Sequence, residues 1–170
     1  DRFRPVVRQR WRENSQDGGG ILFDLGPHLI DQALQLFGLP DAITAHCKIT
    51  RQGSSNIDYF NLTLHYPDKL ASLSASLFSA GPNLRFNIQG DQGTYIKLGL
   101  DPQEDLLKAG VRPDGEYWNN ESVEQYGTLY TEEALEAVKT ERGGYQHFYH
   151  GIANAINDAG QVPVSAEDAL

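Results

Sequence analysis

Methionine is absent from the 170 residues, and cysteine occurs once, as Cys47. A single cysteine excludes an internal disulfide framework and any zinc site built on thiolates. It suits a reducing compartment, so a cytoplasmic location is expected. No apolar run approaches the roughly 18 residues needed to cross a bilayer, so no membrane span is expected. Basic residues are the minority, 14 Lys and Arg against 23 Asp and Glu, for a formal net charge of −9. That acidity argues against nucleic acid or an anionic membrane as a partner. The basic opening D-R-F-R-P-V-V-R-Q-R lacks the apolar segment of a signal peptide. In a cytoplasmic protein the sequons at Asn61 and Asn120 are chance matches.

Several motifs are missing too. Gly18-Gly19-Gly20 carries Phe23 where a dinucleotide loop needs a further glycine, so no G-x-G-x-x-G is present. There is no G-x-x-x-x-G-K, no G-x-S-x-G and no H-E-x-x-H. The length suits one domain with a real core. The chain opens inside an expected strand. It stops at Ser165-Ala-Glu-Asp-Ala-Leu170, where Ser165 and Asp168 stand at capping-box spacing for a helix just beginning. A piece of a longer protein is therefore expected.

The chain is organised around Gly18–Gly38. Leu22, Leu25, Leu29, Ile30, Ala33, Leu36 and Phe37 recur at helical spacing and form one wide apolar stripe. Asp24, His28, Asp31 and Gln35 form a narrow polar row on the other side of the same cylinder. Pro27 places the secure helix at Pro27–Phe37, with Gly38 and Pro40 ending it. The polar row is either a solvated face or a functional one. Solvated faces usually mix in Lys and Glu, and this stretch has neither, nor Arg. An Asp four residues before a His can orient the ring and stabilise its protonated form, as acid/base chemistry needs. A metal on Asp24, His28 and Asp31 would lack a clear fourth ligand, so none is expected.

Phe3–Glu13 alternates and reads as a first strand, with Arg8, Arg10 and Arg12 on one face. Alternation then marks strands over Ala42–Arg51, Ile57–Tyr66, Leu70–Ser79, Leu84–Gln89 and Thr94–Leu98. Pro67-Asp68-Lys69 and Gly90-Asp91-Gln92-Gly93 are the turns of antiparallel hairpins. Each strand has one apolar face and one rich in Ser, Thr, Asn and Gln. That second face is either solvated or a dimer interface. Pro102–Ala109 reads as a short helix or a turn and Gly110–Gly127 as a loop. Glu132–Arg142 fits either a helix or an edge strand. Tyr145–Ala159 is a second amphipathic helix, with Phe148, Ile152, Ala155, Ile156 and Ala159 inward.

G-G-G-I-L-F-D-L-G-P-H-L-I-D-Q-A-L-Q-L-F-G resembles the start of the C-terminal domain of the Gfo/Idh/MocA oxidoreductases. R-x-R-W-R-E before it, then G-D-Q-G-T, G-G-Y-x-x-F-Y and V-P-V-S-A-E-D-A-L in order, extend the likeness over nearly the whole chain. The resemblance implies an α+β fold: a large, mostly antiparallel open-faced sheet with helices packed on one face, like the C-terminal domain of glyceraldehyde-3-phosphate dehydrogenase. It implies that residues 1–170 are a substrate-binding and oligomerisation domain. The N-terminal Rossmann domain, which binds NAD or NADP and carries a catalytic lysine, is absent from this chain.

By the same resemblance His28 is the acid/base, Asp24 orients it, and Asp31 is a substrate ligand. Arg10, Trp11, Arg12 and Tyr145 are further substrate-pocket candidates. The expected parent is an NAD(P)-dependent dehydrogenase of a sugar, polyol or related hydroxy compound, a homo-oligomer through the open sheet face. The fragment alone is expected to be inactive. The alternative is a non-catalytic binding or scaffold module that dimerises through its sheet.

Overall fold

The computed structural model describes residues 3–8, 10, 13, 18–113, 118–158 and 160–169. The chain divides into two compact units, residues 1–81 and 82–170.

In the first unit, helix α1 spans Ile21–Phe37. It begins a turn and a half before the stretch expected to be secure. Pro27 lies inside it and has no N–H for the helical ladder. The burial of Ile21 and the packing of Leu22 and Leu25 on the core outweigh that loss. Two glycines set the ends. Gly20 has φ 91°, and a Cβ there would come within 2.6 Å of the Ile57 carbonyl. Only glycine therefore lets the helix start so close to that loop, where the Ile21 N–H donates to Ile57 O at 2.9 Å. Gly38, at φ 73°, closes the helix through a 2.8 Å bond from its N–H to Leu34 O.

Strands β1 (Ala42–Lys48), β2 (Tyr59–His65) and β3 (Leu70–Ser76) form an antiparallel sheet in that order. The register pairs Leu62 with Leu73 and Phe60 with Ala75 on one face. Helix α1 lies over β2 and β3, and the core comprises Ile21, Phe60, Leu62, Ala75 and Leu77, with Leu29 and Ile30 packed against it. The apolar side of β1 stays open, with Ile43 and Ala45 exposed. So do Leu36 and Phe37 in the last turn of α1. On the other face, register neighbours pair Thr44 with Thr63, Asn61 with Ser74 and Thr63 with Ser72.

The first strand expected from sequence is not found among the described residues. Phe3 makes an isolated bridge to Phe78, and the Arg4 N–H donates to Leu77 O at 2.7 Å. Pro5 then follows, has no N–H and cannot extend the ladder. Glu13 sits in a helical turn.

In the second unit, β4 (Leu84–Gln89), β5 (Thr94–Leu98), β6 (Gly127–Tyr130) and β7 (Leu135–Val138) form a four-stranded antiparallel sheet in sequence order. The Gly90–Gly93 turn closes with a 2.9 Å backbone bond. The ambiguous stretch after Thr131 is an edge strand. A turn closes from the Thr131 N–H to Ala134 O at 2.9 Å, and Leu135–Val138 then pairs with β6, so period two prevails over helix-forming composition. Helix α2 spans Gln103–Lys108, a 3-10 turn covers Val123–Gln125, and α3 spans Tyr145–Asp158. The inward face expected for α3 is not buried: none of its residues is, and Ile156 is 76% exposed. Ala159 lies outside the described residues. The α+β class and the antiparallel pairing are those expected. The strands come as two ladders, with α1 covering one face of the first.

Candidate functional site

Asp24, His28, Asp31 and Gln35 lie at successive turns of α1, within a sector of about 60° at 100° per residue. Asp24 is half-buried; His28, Asp31 and Gln35 are exposed. The helix is fixed by its apolar side, so the polar row is carried on a rigid element.

Asp24 also faces a cleft of about 440 Å³, shared with Arg4, Arg10, Glu13, Leu25 and Arg51. The wall of that cleft is a buried ion network. The Arg51 guanidinium donates from Nε to Asp58 Oδ2 at 3.0 Å, and from Nη1 to Glu13 Oε2 and to the Arg4 carbonyl, both at 3.1 Å. Asp58 is 1% exposed. Its Oδ1 accepts from the Thr50 N–H at 2.6 Å and the Thr50 hydroxyl at 2.7 Å, and its Oδ2 from the Arg51 N–H at 3.0 Å. Burial pushes the Asp58 carboxyl up, but the bonds from Thr50 and Arg51 outweigh it and hold the group below its ordinary value. Glu13 behaves alike. Burial raises it, while the Arg8 N–H and the Arg51 guanidinium more than offset that. One planar fork thus holds two ionised carboxylates in place, a geometry that an ammonium could not reproduce.

The remaining candidates divide. Arg10 is exposed and lines the cleft with Asp24. His28 and Asp31 share the helix face of Asp24 but are not among the residues lining the cleft. Trp11 and Arg12 lie outside the described residues. Tyr145 is the first residue of α3, in the second unit. Its N–H donates to Gln103 Oε1 at 2.8 Å, and the Gln103 amide in turn donates to Asp101 Oδ2 at 2.9 Å. Burial, Asp101 and Glu104 push the Tyr145 phenol up, against a smaller opposing effect of Arg85. Glu13, Arg51 and Asp58 escaped the sequence reading. Arg51 and Glu13 are 38 residues apart, a separation that no periodicity reveals. The one local signal was Asp58, an acid placed directly before an apolar alternating strand.

Residues 1–170 match the oxidoreductase family, C-terminal alpha/beta domain, throughout, and the chain belongs to that Gfo/Idh/MocA family. Among its relatives, the uncharacterized oxidoreductase YdgJ of Escherichia coli is 41% identical over all of this chain and 50% of its own length. The scyllo-inositol 2-dehydrogenase (NADP(+)) IolW of Bacillus subtilis is 38% identical over all of this chain and 49% of its own. The solved structure of the oxidoreductase yvaA from Bacillus subtilis superposes with a TM-score of 0.88, at 37% identity, over 99% of this chain and 49% of that one. The chain spans about half the length of the relatives it matches.

Proposed function

We propose that this chain is the substrate-side domain of an NAD(P)-dependent dehydrogenase that oxidises a sugar, polyol or related hydroxy compound. The observation that carries the reading is the placement of Asp24 and His28 one turn apart on α1, with Asp24 at a cleft and His28 open to solvent. Oxidising a secondary alcohol requires a base for the hydroxyl proton and an acceptor for the hydride. A neutral imidazole takes the proton, and the Asp24 carboxylate orients the ring and stabilises the imidazolium that results. No Gly-rich strand-to-helix loop in this sequence fits a pyrophosphate. The nicotinamide cofactor, NAD or NADP, is therefore assigned to an N-terminal domain outside it. Asp31, Arg10, Trp11, Arg12 and Tyr145 are the proposed substrate contacts. The relative named as a scyllo-inositol 2-dehydrogenase using NADP supports a polyol and favours NADP.

A second copy would stack on the hydroxyl-rich sheet face formed by Thr44, Asn61, Thr63, Ser72 and Ser74. That face also supports the other reading, a scaffold module that dimerises without catalysis. A cytoplasmic location suits the one free cysteine, Cys47. Among the described residues, no helix is long and apolar enough to cross a membrane.

His28→Ala in the full-length protein separates the two readings. Turnover with a panel of sugars and polyols, followed by NAD(P)H absorbance, is expected to fall by about 10²–10⁴-fold. The thermal melt should stay in place, because His28 is exposed. Turnover at the wild-type rate sinks the dehydrogenase assignment of His28.

A further inference from the structure

The cleft beside Asp24 contains a polar atom that the fold leaves unused. The Glu13 side chain is 9% exposed. Its Oε2 accepts from the Arg8 N–H at 3.0 Å and from Arg51 Nη1 at 3.1 Å. Among the described residues its buried Oε1 finds no hydrogen-bond donor, although Glu13 lines the cleft. Buried carboxylate oxygens are almost always paired, so an orphan points to a partner that the described residues do not supply. Glu13 is held ionised by Arg8 and Arg51 and is thus an acceptor only, so that partner must be a donor. Asp24 is a second acidic residue lining the same cleft. The charge of Arg51 is already met by Glu13 and Asp58. Arg4 and Arg10 line the same cleft and balance the carboxylates, so a neutral ligand rich in hydroxyl groups needs no compensating charge there.

We propose that Glu13 is a substrate-binding residue, its Oε1 accepting a hydroxyl hydrogen from a neutral polyol seated in the cleft against Asp24. The inference rests on the polyol reading above and extends it to a residue outside the Asp24–His28 pair. Glu13→Gln tests it, because the amide still offers one oxygen to Arg8 and Arg51 but turns the free acceptor into a donor.

The measurement is calorimetric titration of the full-length protein with scyllo-inositol. NADPH is kept present so that no turnover follows. The wild type is expected to bind, and a Glu13→Gln protein with a wild-type melt to bind at least tenfold more weakly. Equal affinity overturns the Glu13 assignment and leaves a structural water as the partner of Oε1, while the polyol reading stands. A wild-type protein that does not bind overturns the inference. Hydride transfer from any sugar or polyol to NADP then reports separately on the wider reading. If Glu13→Gln melts early, Glu13→Asp gives the same decision, since it keeps the charge for Arg51 and draws the free oxygen back by one methylene. Weaker binding is again expected, and unchanged binding overturns the assignment.

Discussion

Residues 1–81 bury Phe60, Leu62, Ala75 and Leu77 in one cluster with Ile21 of α1, whereas among the described residues of 82–170 Trp118 is the one buried apolar side chain. The second unit buries polar groups instead: Lys97, Gln103 and Asn119. Lys97 Nζ donates to Glu121 Oε2 at 2.7 Å, to the Gln125 carbonyl at 2.9 Å and to the Thr140 hydroxyl at 3.0 Å, so all three of its protons are used. Gln103 ties Asp101 to the start of α3, and Asn119 donates to the Gly143 carbonyl at 3.1 Å. The first unit has its own buried tie, in which Arg51 joins Arg4, Glu13 and Asp58, but it also has an apolar core that the second lacks among the described residues. Apolar burial is non-directional and scales with area. A buried polar tie needs every partner in place, and losing one strands the others. The two units should therefore fail differently.

Phe60→Ala should have the largest effect. Phe60 is 0% exposed, and its removal is expected to cost about 3–5 kcal/mol through lost transfer energy and a residual cavity. Hydrogen exchange should accelerate at the β2 and β3 amides, and unchanged protection there would refute the apolar account of the first unit. Lys97→Met comes next, at about 3 kcal/mol, because it leaves the Glu121 carboxylate buried and unpaired. Its faster exchange should be centred on β5 and β6. An effect below about 0.5 kcal/mol in urea denaturation would show that the polar ties add little.

The smallest effect expected is with pH, and it divides the part-buried shifted groups of the two units by sign. Glu13 and Asp58 have folded pKa values below their unfolded 4.5 and 3.8. Their stabilisation is complete above those values and is lost as pH falls through the lower folded ones. Tyr145 is shifted the other way, above 10.0, so its contribution is present below 10.0 and lost as pH rises through the folded value. Acid should loosen the first unit first and alkali the start of α3. Equal exchange rates in the two units at both extremes would erase that distinction.

Where local chemistry decides, the sequence was legible. Leu84–Gln89 and Thr94–Leu98 match the observed strands because alternation and a Gly-Asp-Gln-Gly turn act within a dozen residues. The polar row of α1 was legible for the same reason. Phe3–Glu13 misled because it carries the strand formers Val6, Val7 and Trp11, while Pro5 denies the ladder its donor. The inward face of α3 has helical periodicity, yet Ile156 remains exposed: period specifies a face, not what covers it. The cleft was illegible because its wall joins residues 4, 13, 51 and 58, and only the pairing of β1 with β2 brings the last two together.

Arg51 has a consequence in time as well as in space. Its bonds reach back 47 residues to Arg4 and 38 to Glu13, but only 7 forward to Asp58. The short closure needs only a hairpin loop, whereas the long ones close loops that contain α1 and β1, at a larger entropic cost. The wall of the cleft is therefore complete only once Arg4 and Glu13 have reached Arg51. Folding begun at the sheet yields the apolar scaffold first and the cleft second.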